Sequence, residues 1–180
     1  MSGNVLVLTG PPGAGKSTVA RQVASARDLG VHVHTDDFWH YIVAGAIPPH
    51  LPESDAQNHT VVEAIAGAAF AYAEGGYDVV VDGIVGPWML DHYRRQAALH
   101  PAVAMHYVVL RPSREVTLGR AQARTSADAL VDAGPILSLW DQFSSLGVLE
   151  SHALDSTELS VERTEETVRA GLDTGRFRIT

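Results

Sequence analysis

The segment richest in chemistry is Gly10-Pro11-Pro12-Gly13-Ala14-Gly15-Lys16-Ser17, followed by Thr18. It satisfies G-x-x-x-x-G-K-[ST] in full, with an apolar run before it, Val5 to Leu8, and a helical pattern after it. Glycines at this spacing let backbone N–H groups converge on phosphate oxygens, and the helix opening near Lys16 adds the positive end of its dipole. In such a loop Lys16 reaches the β- and γ-phosphates, and Ser17 coordinates Mg2+ through its hydroxyl. Of the 13 basic residues 12 are arginine, and Lys16 is the single lysine. A guanidinium is too large and planar to enter that nest as a point charge.

Three carboxylates carry the next layer of chemistry. Asp82 closes Val79-Val80-Val81-Asp82, an apolar run ending in the aspartate that would hold Mg2+ directly or through water. The next residue is Gly83, where ATPases that activate water usually carry an acid, so hydrolysis is disfavoured as the main activity. Asp36 and Asp37 follow a second apolar run, Val31 to His34, at what would be the carboxyl edge of a parallel sheet. Phosphoryl transfer to an alcohol needs a carboxylate to orient the hydroxyl and accept its proton, and either aspartate could serve or could cap the helix that follows. Arg120 and Arg124, four apart on an expected helix, share one face and lead into the small polar stretch Thr125 to Asp128.

The elements that must position these groups alternate strand and helix. Strands are expected at Val5 to Leu8, Val31 to His34, Val79 to Asp82, Val103 to Leu110 and His152 to Leu154, with a further short one within Arg176 to Ile179. Helices are expected after the loop to about Arg27, near Phe38 to Ala44, and over His59 to Ala73, Trp88 to Leu99, Ser113 to Arg124, Pro135 to Leu146 and Val161 to Leu172. Alternation of this kind gives right-handed crossovers and a parallel sheet covered on both faces. The expected fold is a three-layer α/β/α P-loop NTPase fold with a central, mostly parallel five-stranded sheet, a single domain over residues 1–180.

With this loop and order of elements the chain resembles the small P-loop kinases, the group of adenylate, shikimate and gluconate kinases and chloramphenicol phosphotransferase. The resemblance implies an acceptor region at about 36–75 and an arginine-bearing lid at about 120–133. It also makes Asp36, in Thr35-Asp36-Asp37-Phe38, the better match to the catalytic aspartate. By position Arg120 would stack on adenine and Arg124 would neutralise charge on the transferring phosphoryl group, with Arg111 and Arg114 as nearby substitutes. The implied cofactors are ATP and Mg2+.

Between Arg27 and Arg94 there is no lysine or arginine, although this interval contains the whole acceptor region. Anionic acceptors are held by bidentate arginines, so nucleotides and sugar acids lose ground. The region offers Asp36, Asp37, Phe38, Trp39 and several more acids and aromatics, a surround suited to a neutral or cationic acceptor with some ring surface. Gly83 to Trp88 would aim Trp88 at that pocket, or Trp88 packs as a core aromatic. Asn58 either contacts substrate or caps a helix starting at His59. His32 and His34 face the same way on a strand, but nothing supplies a third ligand for a transition metal.

The formal charge of −8 argues against nucleic acid and acidic membranes as partners, and the absence of cysteine excludes thiolate chemistry. Neither a signal peptide nor a membrane span is read, which gives a cytoplasmic expectation. The function expected is an ATP- and Mg2+-dependent kinase acting on a hydroxyl of a small neutral or cationic molecule, an antibiotic or metabolite. The alternatives are a nucleoside, nucleotide or polynucleotide kinase, and a non-catalytic nucleotide-binding regulator. The oligomeric state is open.

Overall fold

The computed structural model describes residues 2–125 and 129–179. Its sheet begins with β1 (Asn4–Thr9), whose five residues after Asn4 are all buried, as a continuous apolar run flanked on both faces requires. The chain then forms α1 (Lys16–Ser25), β2 (Gly30–His34), α2 (Asp36–His40), α3 (Asp55–Glu74) and β3 (Asp78–Asp82). It continues through α4 (Leu90–Leu99), β4 (Ala104–Leu110), α5 (Arg114–Gln122), α6 (Ala133–Phe143), β5 (Ala153–Leu154), α7 (Val161–Asp173) and β6 (Arg178–Ile179).

The strand order is β2-β3-β1-β4-β5, all parallel, with the two-residue β6 pairing antiparallel to β4. Because β1 lies between β3 and β4, the chain leaves it to build both halves of the sheet, and the crevice at that reversal opens at the carboxyl ends. Register brings those ends together: Leu8 pairs with Asp82 and Asp82 with His34. Side chains alternating along the strands bury one core against α3 and α4, with Val5, Val7, Val79, Val81 and Tyr107. The opposite core, with Leu6, Leu8, Val80, Val108 and Leu110, packs against α1 and α7.

Helix boundaries shift by two or three residues at the start of α4 and at both ends of α6, and three further shifts bear on the site. The helix after β2 starts at Asp36 and ends at His40; beyond it Ile42 packs against the core while Tyr41 and Val43 are exposed. α3 starts at Asp55, not His59, after a single turn at Pro52–Ser54, so Asn58 sits inside its first turn and caps nothing. α5 ends at Gln122, which puts Arg124 beyond the helix and off the face that carries Arg120. The expected lid at 120–133 includes residues 126–128, which lie outside the described residues.

Candidate functional site

The phosphate loop closes against the far half of the sheet. Gly13 has φ +84°, and a Cβ there would stand 2.4 Å from the Thr117 carbonyl oxygen of α5, so only glycine permits both the turn and the approach. Gly15, at φ +90°, forms the N-cap of α1 with nothing within 4 Å of where a Cβ would be. No side chain caps α1 and no acid lies in its first turn, leaving its N–H groups and dipole directed at that open space. The Lys16 ammonium donates to the Pro11 carbonyl at 3.0 Å. Burial pulls its pKa down to about 8, against the opposing pull of Asp82 and Asp36, with Arg124 adding to the depression.

Register sets Asp82 beside the end of β1, and His34 Nε2 lies 3.9 Å from both Asp82 Oδ2 and Asp36 Oδ2. The two aspartates thus share the edge from which the phosphate loop leaves β1, while Arg124 is exposed just beyond α5. Asp82 is 1% exposed at the end of β3. Burial pushes its carboxyl up, but the hydrogen bond from His32, the nearby Ser17 hydroxyl and the charge of Lys16 outweigh this and leave it below the ordinary value. Its Oδ1 is buried with no hydrogen-bond partner among the described residues. A buried ionised oxygen beside a serine hydroxyl and a phosphate cradle suits magnesium, which takes one or two carboxylates and completes its shell with water and phosphate oxygens. The donor set therefore fits that ion.

Gly83 has a steric reason to be glycine: a Cβ there would lie 1.9 Å from Thr35 Oγ1. The β2 end fills the position that an acid after Asp82 would occupy. The loop that follows is tied down by Tyr107, which donates to the Val85 carbonyl at 2.9 Å, and by Val85 N–H donating to Thr9 Oγ1 at 2.8 Å. Trp88 is half exposed, lies over Gly86 and meets the Phe143 ring at 5.9 Å, so it is a surface aromatic bridging this loop to α6.

Asp36 and Asp37 are both exposed in the first turn of α2. Asp37 Oδ1 stands 3.4 Å from His34 Nδ1, whereas Asp36 Oδ2 is 3.9 Å from His34 Nε2 and acts on Lys16. Phe38 and Trp39 part company: Phe38 lines an uncharged groove of about 440 Å3 between α2 and α3 with Tyr41 and Thr60. Trp39 donates from Nε1 to Asn58 Oδ1 at 2.9 Å and packs against the core. Asn58 in turn donates to the Pro49 carbonyl at 2.8 Å, which fastens the proline-broken loop onto α3.

Of the arginines, Arg120 donates to the Ser156 and Thr157 carbonyls in the loop after β5. Arg111 holds the end of α6 through the Phe143 and Ser144 carbonyls and pairs with Glu150, and Arg114 pairs with Asp141. Those two are committed to structure. Arg94 pairs with Asp91 and Arg95 with Glu63, so neither adds a spare charge to the acceptor region. The sequence left unused the two histidines of β2, whose meaning depends on the β2–β3 register, and the seam of Glu63, His59 and His92 between α3 and α4.

Residues 5–143 match the family described as AAA domain, and the chain belongs to that family. Among curated proteins none matches it. Solved structures share its fold. A sugar kinase from Janibacter sp. HTCC2649 is 21% identical, with a TM-score of 0.71 over 95% of both chains. The APS kinase CysC of Mycobacterium tuberculosis, in complex with AMPPNP and APS, is 18% identical, with a TM-score of 0.68 over 96% of this chain and 98% of that one. A tunicamycin resistance protein from Deinococcus radiodurans is 14% identical, with a TM-score of 0.65 over 99% of both chains. The fold is thus that of the small P-loop kinases, as the loop and the strand order imply. Among the described residues no helix is long and apolar enough to cross a membrane.

Proposed function

We propose that the protein transfers the γ-phosphoryl group of ATP to a hydroxyl of a small, neutral or cationic molecule. The observation that carries this reading is the convergence at one sheet edge of the phosphate loop after β1, Asp82 at the end of β3 and Asp36 after β2, with His34 Nε2 3.9 Å from a carboxylate oxygen of each aspartate. The phosphate loop and α1 would hold the triphosphate. Asp36 would accept the acceptor's proton as its oxygen bonds to the γ-phosphorus and the bond to ADP breaks. Lys16 and Arg124 would spread the charge that gathers on the transferring group. Ser17 and Asp82 would hold magnesium, whose contribution when bound is to neutralise the β- and γ-phosphate oxygens. Arg120, which donates to the Ser156 and Thr157 carbonyls, would flank the base of the nucleotide.

Three relatives named for sugar, APS and tunicamycin share this fold, so the choice of acceptor rests on the chain's own residues. No lysine or arginine lies between Arg27 and Arg94, and Arg94 and Arg95 are spent on Asp91 and Glu63. An anionic acceptor would find no bidentate clamp, while Asp36, Asp37 and the uncharged groove lined by Phe38 and Tyr41 favour a neutral or cationic one. The test is a mass-spectrometric screen with Mg2+-ATP and hydroxylated acceptors: neutral antibiotics, aminoglycosides, nucleosides, sugars, sugar acids and nucleoside monophosphates. The expected product is a neutral or cationic acceptor heavier by one phosphoryl group. Preferred phosphorylation of a monophosphate or sugar acid would contradict the acceptor assignment, and nucleotide binding with no product across the panel would favour a regulator.

A further inference from the structure

Asp82 faces two demands. Its carboxyl is 1% exposed, and one of its oxygens must stay available to a cation. The neighbouring strand answers both. His32 and His34, two apart on β2, project to the same face, and the register sets His34 beside Asp82. His32 Nε2 lies 3.2 Å from Asp82 Oδ2, while His34 Nε2 is 3.9 Å from the same oxygen, beyond hydrogen-bond reach, and turns its Nδ1 to Asp37 instead. An ionised carboxylate only accepts, so His32 Nε2–H is the donor. Oδ2 is thereby committed to β2, and Oδ1 is left without a partner among the described residues.

We propose that His32 is a positioning residue for the metal carboxylate: its Nε2–H fixes the rotation of the Asp82 side chain so that Oδ1 is presented to the divalent cation. The inference rests on the nucleotide and metal reading of the site above. Without this donor a buried carboxylate loses its partner and turns to find another, and the cation meets a ligand that must first reorganise. The role depends on where one N–H group sits and not on ring packing, which makes it separable by substitution. Glutamine places an amide N–H close to the position of Nε2, and asparagine falls one bond short.

The probe is Mn2+, titrated by electron paramagnetic resonance in the presence of a non-hydrolysable ATP analogue, so no acceptor is needed. Removing a partner that orients a metal ligand costs about 10- to 100-fold in metal affinity, and His32→Asn and His32→Ala should lose that much while His32→Gln stays within about threefold of wild type. Binding of the analogue in EDTA should be unchanged in all three, which separates positioning from damage to the fold. Equal Mn2+ affinity in His32→Asn and wild type would overturn the proposal. So would a loss in His32→Gln as large as in His32→Asn, which would assign the effect to the ring. A wild-type protein that binds the analogue but no Mn2+ would overturn the metal reading itself, and a wild-type protein that binds neither would overturn the proposed function.

Discussion

At the residue scale the site is organised around one ammonium. Lys16 is the only lysine in the chain, and burial lowers its pKa to about 8. Phosphate oxygens favour its charged form, so nucleotide binding should draw a proton onto it wherever part of the population is neutral. At pH 8 the expected uptake from this group approaches about half a proton, and affinity should weaken as pH rises above that value. Calorimetry in buffers of different ionisation enthalpy measures the uptake. Wild type should show it and Lys16→Met should lack it; equal uptake in both would show that Lys16 does not meet the phosphates. The lysine and its loop were legible in the sequence because the motif is local, eight consecutive residues whose geometry depends little on the remainder of the chain. The histidines of β2 were not, because they acquire a role only when β3 is laid beside them.

At the element scale, helix limits were read least well, and each error has a cause in tertiary structure. α3 begins four residues before His59 because Asn58 and Gln57 fasten the preceding loop onto its first turn, Gln57 by accepting from Ile47 N–H and donating to Ile47 C=O. Local sequence cannot reveal such clasps. The seam between α3 and α4 was equally hidden: His59 Nδ1 stands 2.8 Å from His92 Nε2, and His92 Nδ1 stands 2.6 Å from Glu63 Oε2. Hydrogen bonds from His92 and Arg95 hold Glu63 down to about 2. A carboxyl with a lowered folded-state pKa stabilises the fold above its unfolded value, near 4.5, and loses that contribution as pH falls toward 2. Glu63→Gln should therefore lower Tm at pH 7, and the gap to wild type should narrow steadily below about pH 4.5. A gap that does not change with pH would mean that the side chain matters for its shape and not its charge.

At the scale of the whole molecule the strand order does the assembling. Placing β1 between β3 and β4, with β2 beyond β3, delivers the phosphate loop, Asp82 and Asp36 to one edge from three separate stretches of chain. The alternation of strands and helices made that edge readable in advance, since a parallel sheet has only one set of carboxyl ends. It did not decide between Asp36 and Asp37, because adjacent residues on a short helix point in different directions and their neighbours come from packing. Asp37 turns to His34, and Asp36 acts on Lys16. The central claim is that this edge performs phosphoryl transfer with Asp36 as its base. It is tested most directly by the turnover of Asp36→Asn and Asp37→Asn with Mg2+-ATP and whichever acceptor wild type phosphorylates. Loss of a general base costs about 100-fold or more, so kcat should fall by at least that in Asp36→Asn with ATP affinity retained, and by less than about tenfold in Asp37→Asn. Retention of turnover by Asp36→Asn, or its loss in Asp37→Asn alone, would contradict the account.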